Sequence, residues 1–314
     1  GTATITATSG SASGTATVTV NQTAASVTLS PTSLSFTSIG DTATLAATVT
    51  DAGGTVISDA DVTWATSDAS IATVSADGLV TAVGNGIATI TATSGSVNGT
   101  ATATISQVAI SLTLSPTSLS FTSIGDTASL VATGRDAGGT VISNPTVTWT
   151  TSDASVATVS ADGLVTAVID GTATITATSG SASATATATV SQVAQSVTLS
   201  PASVSFTSAG DTTTLVATVR DAAGNIIPGA TVTWVTSSSS VATVSSAGLV
   251  TAVADGTATI TATSGSASGT ATATVNQTAA SITLSPTNLS FTSIGDGATL
   301  VATVRDAGGT VITN

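Results

Sequence analysis

Apolar and small polar residues alternate with a period of two through most of the chain. A clear example runs from position 42 to position 49, where every second residue is apolar: Ala43, Leu45, Ala47 and Val49. This period is typical of β-strands with one buried face, and no stretch shows the spacing of an amphipathic helix with caps. The pattern predicts further strands at 27–29, 34–36, 62–66, 71–74, 79–83, 87–93 and 100–105. Turn-forming Gly, Pro, Asp and Asn separate these seven or eight short strands.

The whole pattern repeats along the chain. A step of 85 residues separates Trp64 from Trp149 and Trp149 from Trp234. A fixed period of this length predicts similar domains in series, each with its own core. We expect the C-terminal part of a repeat at 1–24, full repeats at 25–109, 110–194 and 195–279, and the N-terminal part of a repeat at 280–314.

The incomplete repeats at the two ends favour a window on a longer array. Exchange of strands between copies is the alternative. It is disfavoured because joining the tail of one chain to the head of the next would lack repeat positions 60–85, which include a core strand.

Seven or eight short strands in about 85 residues are typical of a Greek-key β-sandwich with immunoglobulin-like architecture, so we predict an all-β chain of tandem sandwiches. Large side chains are rare, and the aromatic residues are expected to occupy the cores. The predicted core aromatics are Trp64, Trp149, Trp234, Phe36, Phe121, Phe206 and Phe291.

The composition removes most catalytic chemistry. The chain has no Cys, His, Met or Tyr, and it also lacks Lys and Glu, so its 16 acidic residues are all Asp. Its three cations are Arg135, Arg220 and Arg305. Without imidazole, thiolate or lysine amine the usual general bases, nucleophiles and zinc ligands are missing. We therefore predict that the protein is not an enzyme and that it needs no cofactor.

The formal net charge of −13 argues against binding to nucleic acid, which requires a basic surface. The positive mean hydropathy of +0.52 comes from scattered Ala and Val, and no run approaches the ~18 apolar residues of a membrane helix. Membrane insertion is therefore not expected. The absence of sulfur would suit a protein that is lost to the outside of the cell, although an Ala- and Thr-biased repeat that expanded by duplication would explain the composition equally well. Together with the scarcity of sites for trypsin-like proteases, it favours an extracellular or cell-surface location.

Two sets of aspartates recur in every copy and are the candidate metal ligands. One set follows a glycine and the other precedes a turn of small residues. Because carboxylate oxygens suit calcium, these residues are calcium candidates. Asp also favours turns by accepting hydrogen bonds from its own backbone, so the structural interpretation stays open. The candidates are Asp41, Asp51, Asp126, Asp136, Asp211 and Asp221.

Five sequence segments in fixed order carry a family resemblance. They are Ser-Val-Thr-Leu-Ser-Pro at 26–31, Asp-Thr-Ala-Thr-Leu-Ala-Ala-Thr-Val at 41–49, Val-Thr-Trp-Ala-Thr-Ser-Asp at 62–68, Ile-Ala-Thr-Val-Ser-Ala-Asp-Gly-Leu-Val-Thr-Ala-Val at 71–83, and Gly-Ile-Ala-Thr-Ile-Thr-Ala-Thr at 86–93. These segments resemble the bacterial immunoglobulin-like domain, group 2, of intimin- and invasin-type surface adhesins. The resemblance implies an immunoglobulin-like fold and display at the cell surface, with no catalytic residues to transfer.

The joins between repeats contain neither Gly nor Pro, for example at 21–25, 106–110 and 191–195. Such joins are unlike flexible tethers, so we expect restricted bending and an extended rod. The expected function is that of a stiff stalk or spacer of a surface adhesin, or of the body of a surface filament. The alternative is a glycan- or calcium-binding adhesion module.

The expected partners follow from the same features. They are neighbouring repeats, identical chains in a filament or bundle, and a host or matrix surface reached through other regions. Uncharged rows of Thr, such as those at 172–178, are the reason to expect side-by-side contacts between chains.

Overall fold

The computed structural model describes residues 1–313, which form strands, turns and loops. Within this part of the chain there is no helix long and apolar enough to cross a membrane. The predicted all-β class is confirmed.

Each full repeat has nine strands, one or two more than the sequence predicted. The first fragment and the first full repeat contain β1 (Thr2–Ser9), β2 (Ala12–Thr19), β3 (Ser26–Ser30), β4 (Ser33–Phe36), β5 (Thr42–Thr44), β6 (Ala46–Thr50), β7 (Thr63–Thr66), β8 (Ala72–Val74), β9 (Leu79–Ala82), β10 (Gly86–Ser94) and β11 (Val97–Ile105). The second repeat contains β12 (Ser111–Ser115), β13 (Ser118–Phe121), β14 (Thr127–Ser129), β15 (Val131–Arg135), β16 (Thr148–Thr151), β17 (Ala157–Val159), β18 (Leu164–Ala167), β19 (Gly171–Ser179) and β20 (Ala182–Val190). The third repeat and the last fragment contain β21 (Ser196–Ser200), β22 (Ser203–Phe206), β23 (Thr212–Thr214), β24 (Val216–Arg220), β25 (Thr233–Thr236), β26 (Ala242–Val244), β27 (Leu249–Ala252), β28 (Gly256–Ser264), β29 (Ala267–Val275), β30 (Ser281–Ser285) and β31 (Val301–Arg305).

The first repeat is a two-layer sandwich. One layer is the sheet β4-β11-β10-β7, in which β4 runs parallel to β11 and the other pairs are antiparallel. The other layer is formed by the pair β3-β6 and the sheet β5-β9-β8. The third repeat has the same arrangement, with β22-β29-β28-β25 opposite β21-β24 and β23-β27-β26.

The extra strand arises at Leu45, where one predicted strand changes partners. Before Leu45, β5 pairs with β9, and after it β6 pairs with β3. The backbone N–H of Leu45 donates to the carbonyl of Gly78 at 2.9 Å, and its side chain is almost fully buried. The break therefore lets one stretch of chain serve two strand pairs of the same layer.

The core of the first repeat consists of small and branched aliphatic side chains. Along β10, Ala88, Ile90 and Ala92 have no exposed surface. Val80 on the facing sheet is buried to the same extent. The alternate residues of β10 are mainly Thr and face away from the core, as the period-two pattern predicted.

The aromatic residues differ in their environments. Phe36, Phe121 and Phe206 are buried. The sequence placed the tryptophans at the core, but Trp64 is only partly buried. It packs against the buried cluster from β7, which is an edge strand of its sheet. Trp149 and Trp234 are likewise partly buried.

Phe291 departs further from the expected core position. It is 51% exposed. In the last fragment, the part of the chain that the structure describes forms β30 and β31 but no strand at Phe291 corresponding to β4. The side chain therefore has no sandwich to cover it.

Internal contacts divide the chain into two compact units. Unit 1 comprises Gly1–Ser115, Val131–Thr150 and Thr176–Thr185, and unit 2 comprises Pro116–Leu130, Thr151–Ile175 and the chain from Ala186 onward. The division passes through the second repeat. The junction between the first and second repeats lies within unit 1, and the two later junctions lie within unit 2.

Replacement of Gly78 by Ala should destabilise the first repeat more than replacement of Gly54 by Ala. Both glycines have a positive φ, +78° and +82°, and so share the strain of a left-handed residue. A Cβ at Gly78 would lie 2.5 Å from the carbonyl oxygen of Leu45 and 2.8 Å from Cζ2 of Trp64, whereas nothing lies within 4 Å at Gly54. The overpacking should cost about 1–3 kcal/mol more at Gly78.

Amide hydrogen exchange of β5 and β9 in the full chain would measure this difference. Gly54→Ala is the control for backbone strain alone. Equal loss of protection in the two variants would contradict the packing of Gly78 against the tryptophan ring.

Candidate functional site

The recurring aspartate turn lies directly after the strand that ends in Arg or Thr. In the second repeat, Asp136 Oδ1 accepts a hydrogen bond from the N–H of Thr140 at 2.8 Å, which closes the turn. Nη1 of Arg135 donates to the carbonyl of Gly139 at 2.9 Å and holds the other side of the same turn. The sequence pattern did not predict this contact.

The second oxygen of Asp136 connects the second repeat to the linker and to the first repeat. Oδ2 accepts a hydrogen bond from the backbone N–H of Ile39 in the first repeat, at 3.0 Å. It also accepts one from Nε2 of Gln107 in the linker, at 2.8 Å. We call this arrangement the aspartate clasp: the carboxylate of Asp136, the amide of Gln107 and the N–H of Ile39, together with the equivalent residues at the other junctions.

Unit 2 contains two further aspartate clasps. Asp221 Oδ2 accepts from Ile124 N at 3.1 Å and from Gln192 Nε2 at 2.9 Å. Asp306 Oδ2 accepts from Ala209 N at 2.9 Å and from Gln277 Nε2 at 2.8 Å. At the first fragment, Gln22 Nε2 donates to Asp51 Oδ2 at 3.0 Å. The clasp therefore recurs with the same chemistry at every full junction.

The linker glutamine is itself held in place. The backbone N–H of Gln107 donates to Oδ1 of Asn85 at 2.8 Å, and Nδ2 of Asn85 donates to Oε1 of Gln107 at 3.0 Å. At the later junctions an aspartate accepts from the glutamine N–H, Asp170 at 2.8 Å and Asp255 at 2.6 Å. The glutamine side chain is thus directed at the clasp.

The linker backbone is bonded to both of the repeats that it joins. The N–H groups of Ser106 and Val108 donate to the first repeat, at the carbonyls of Phe36 and Thr37, each at 3.0 Å. The N–H of Ile110 donates to the carbonyl of Arg135 in the second repeat at 2.9 Å. These bonds leave the linker little freedom to rotate.

The clasp aspartates are buried charges whose hydrogen-bond partners are N–H donors. Asp221 is 2% exposed and Asp136 is 1% exposed. Burial raises the pKa of Asp221, but hydrogen bonds from Gln192, Asn225 and the N–H of Ile124 outweigh burial and lower its pKa from 3.8 to about 2. At Asp136 burial again opposes the hydrogen bonds from Gln107, Ile39 and the turn, and the pKa is lowered. The clasp therefore stabilises the ionised carboxylate.

The remaining calcium candidates also accept hydrogen bonds from backbone N–H groups. Oδ2 of Asp41, Asp126 and Asp211 accepts from the N–H of Ser38, Ser123 and Ser208 at 3.1, 3.0 and 3.0 Å. Asp41 and Asp136 thus meet at adjacent amides of one loop, those of Ser38 and Ile39.

The hydrogen-bond partners of these carboxylates include backbone N–H donors, which stabilise a negative charge. N–H donors stabilise a carboxylate but cannot coordinate calcium, which requires several oxygen ligands. Within residues 1–313 no group of three or more potential metal-ligating side chains occurs. Asp51 also accepts hydrogen bonds from the backbone N–H groups of Gly53 and Thr55, at 3.0 and 2.9 Å.

Sequence reasoning identified the clasp aspartates as candidates but missed their partners. A signal was present, because Gln22, Gln107, Gln192 and Gln277 recur at the repeat period. Each precedes its aspartate by 29 residues. The backbone donor of the preceding repeat carries no side-chain signal and could be found only from the fold.

A family model now accounts for the repeats. The model of the bacterial Ig-like domain (group 2) matches residues 23–105, 109–190 and 193–275, which together make up well over half of the chain. The chain belongs to this family. A search of curated proteins gives no match.

The solved structures that match the chain include surface proteins. The surface layer protein SbsC, domains 1–6, has 22% identity over 96% of this chain and 46% of that chain, with a TM-score of 0.28. Invasin, described as a bacterial integrin-binding protein, has 18% identity over 88% of this chain and 65% of its own, with a TM-score of 0.38. The Escherichia coli adhesin FdeC has 20% identity over 82% and 99%, with a TM-score of 0.35. The chain spans about half the length of the SbsC structure, and at these scores the likeness supports no transfer of function.

Calcium should leave the stability of the chain unchanged, because N–H donors occupy the oxygens of the clasp aspartates. Thermal unfolding measured by calorimetry in a chelator and in excess calcium should give the same midpoint. A saturable rise in midpoint with calcium that Asp136→Asn abolishes would contradict this interpretation.

Acid should weaken the clasp at Asp221. Its pKa is lowered from 3.8 to about 2 in the folded chain, so its stabilising contribution is complete above about pH 4 and is lost as the pH falls through about 2. The difference in free energy of unfolding between the unmodified chain and Asp221→Asn should therefore shrink between pH 5 and pH 2. Denaturant titrations of both proteins at each pH measure this difference. The other carboxylates are the same in both proteins, so their contributions to the free energy of unfolding cancel in the difference. A difference that stays constant over this range would count against the buried, hydrogen-bonded carboxylate.

Proposed function

We propose that the chain is part of an extracellular, non-enzymatic structural protein and acts as a stiff stalk or spacer of a surface adhesin or as the body of a surface filament. The observation that carries the proposal is the aspartate clasp. It joins one repeat, the linker and the next repeat through a single buried carboxylate.

Stiffness at a junction requires that bending break favourable contacts. At the second junction, separation of the repeats would remove the N–H of Ile124 and the amide of Gln192 from Asp221, leaving a buried charge with fewer donors. Hydrogen bonds to a charged group are worth about 1.5–3 kcal/mol each, so a bent junction would be poorly populated. This cost favours a fixed orientation over a flexible tether.

The uniformity of the repeats supports a structural role over recognition. Each full repeat has nine strands in the same order, and no repeat carries a long inserted loop. Binding and catalytic residues are commonly found on extended loops that a scaffold supports. Membership of the bacterial Ig-like family and the absence of Cys, His and Lys favour the same conclusion.

Contacts between chains would decide between a spacer and a filament. The outer faces of β28 and β29 bear uncharged cross-strand pairs such as Thr259 with Thr272 and Thr261 with Thr270. Such faces lack the charges that discourage association, and the partner would be a second copy of the chain. A host or matrix surface would be a partner through other regions of the parent protein.

Spin-label distance measurements can test the stiffness of one junction. The chain has no cysteine, so Ala161→Cys and Ser246→Cys introduce the only two labelling sites. Both positions are exposed, and both lie in unit 2 on either side of the second junction. The distance distribution should be narrow in the otherwise unmodified chain. It should be broader when Asp221→Asn is added, because the asparagine NH2 is a donor and cannot accept the hydrogen bonds that a carboxylate oxygen of Asp221 accepts.

Asp59→Asn is the charge-matched control, since it removes one negative charge from an exposed site in the first repeat. It should leave the distribution narrow. A broad distribution in the chain with intact clasps would show a flexible tether and overturn the proposal. Electron microscopy over a range of concentrations separates the two forms: discrete particles favour the spacer, and polymers favour the filament.

A further inference from the structure

One residue of the aspartate turn differs between repeats, and it lies where neighbouring repeats meet. Four positions after the clasp aspartate the chain has Thr55, Thr140 and Thr310, but the third repeat has Asn225. In every case the backbone N–H closes the turn on Oδ1 of the aspartate. The turn is therefore the same in every repeat, and only the side chain at this position differs.

The side chain of Asn225 crosses the junction between the second and third repeats. Its Nδ2 donates to the carbonyl of Ile124 at 2.8 Å, and the same group lies 3.3 Å from Oδ2 of Asp221. The N–H of Ile124 already donates to Asp221 at 3.1 Å. Both polar groups of this one residue of the second repeat are thus bound by the third repeat.

Threonine does not reproduce this contact. Thr140 and Asn225 are both partly buried and both donate their N–H to the clasp aspartate at 2.8 Å. The first junction instead has a hydrogen bond from the N–H of Ala137 to Oγ of Ser38, at 3.1 Å. An amide side chain extends further than a hydroxyl and offers two donors, so it can bind the carbonyl and the carboxylate together.

We propose that the residue four positions after the clasp aspartate sets how firmly neighbouring repeats dock, and that Asn225 docks them more firmly than a threonine at the same position would. The inference rests on the proposed structural function. It adds that firmness can be tuned at one junction without changing the carboxylate, the linker glutamine or the sandwich cores. At a given junction, asparagine then docks the two repeats more firmly than threonine does.

A reciprocal exchange of the two residues tests the proposal. In the full chain labelled with ¹⁵N-isoleucine, the amides of Ile39 and Ile124 report on the first and second junctions, because each donates to its own clasp. Asn225→Thr should speed hydrogen exchange of the Ile124 amide about fivefold and leave that of Ile39 unchanged. Thr140→Asn should slow exchange of the Ile39 amide by a similar factor and leave Ile124 unchanged.

Each arm serves as the control for the other, since a general loss of stability would change both amides. No change at Ile124 in Asn225→Thr, or no slowing at Ile39 in Thr140→Asn, would overturn the proposal. The spin-label experiment keeps the two conclusions apart. A narrow distance distribution with unchanged exchange rates would remove only this inference, whereas a broad distribution in the intact chain would remove the structural function itself.

Discussion

A carboxylate that is buried without a cation must be surrounded by hydrogen-bond donors, and in this chain those donors come from three separate stretches. Asp136 needs the turn that it opens, the linker residue Gln107 and the backbone of Ile39 in the preceding repeat. Removal of any one donor leaves a buried charge that is less well stabilised. The docking of neighbouring repeats and the path of the linker therefore depend on one electrostatic requirement.

This requirement matters because the cores are thin. The buried face of β10 consists of Ala88, Ile90 and Ala92, and alanine removes little apolar surface from water. A small sandwich of this kind has a modest stability of its own. Contacts between neighbours then form a substantial part of the total, as in other arrays whose stability is a sum of repeat and interface contributions. The clasp supplies such an interface with a few polar contacts in place of a large apolar surface.

The sequence predicted the strands well because side chains alternate visibly between the two faces of a sheet. The rarity of large side chains placed the aromatic residues in the cores, and Phe36, Phe121 and Phe206 are buried there. Trp64 packs against the core but is only partly buried, because it lies on the edge strand β7, which composition does not reveal. The aspartates were recognised as special, yet their donors were not. The Ile39 donor is a backbone group 97 residues from Asp136 in the chain, and nothing in the sequence pairs a main-chain amide with a distant side chain.

The spacing of the clasp residues along the chain affects how such arrays can change length. Its three parts occur once per 85-residue period, so the loss or gain of one whole period, wherever the break falls, again places a backbone amide, a glutamine and an aspartate in the same order. A change by a number of residues that is not a multiple of 85 separates them. Recombination between near-identical repeats can therefore lengthen or shorten the array without any new interface having to evolve.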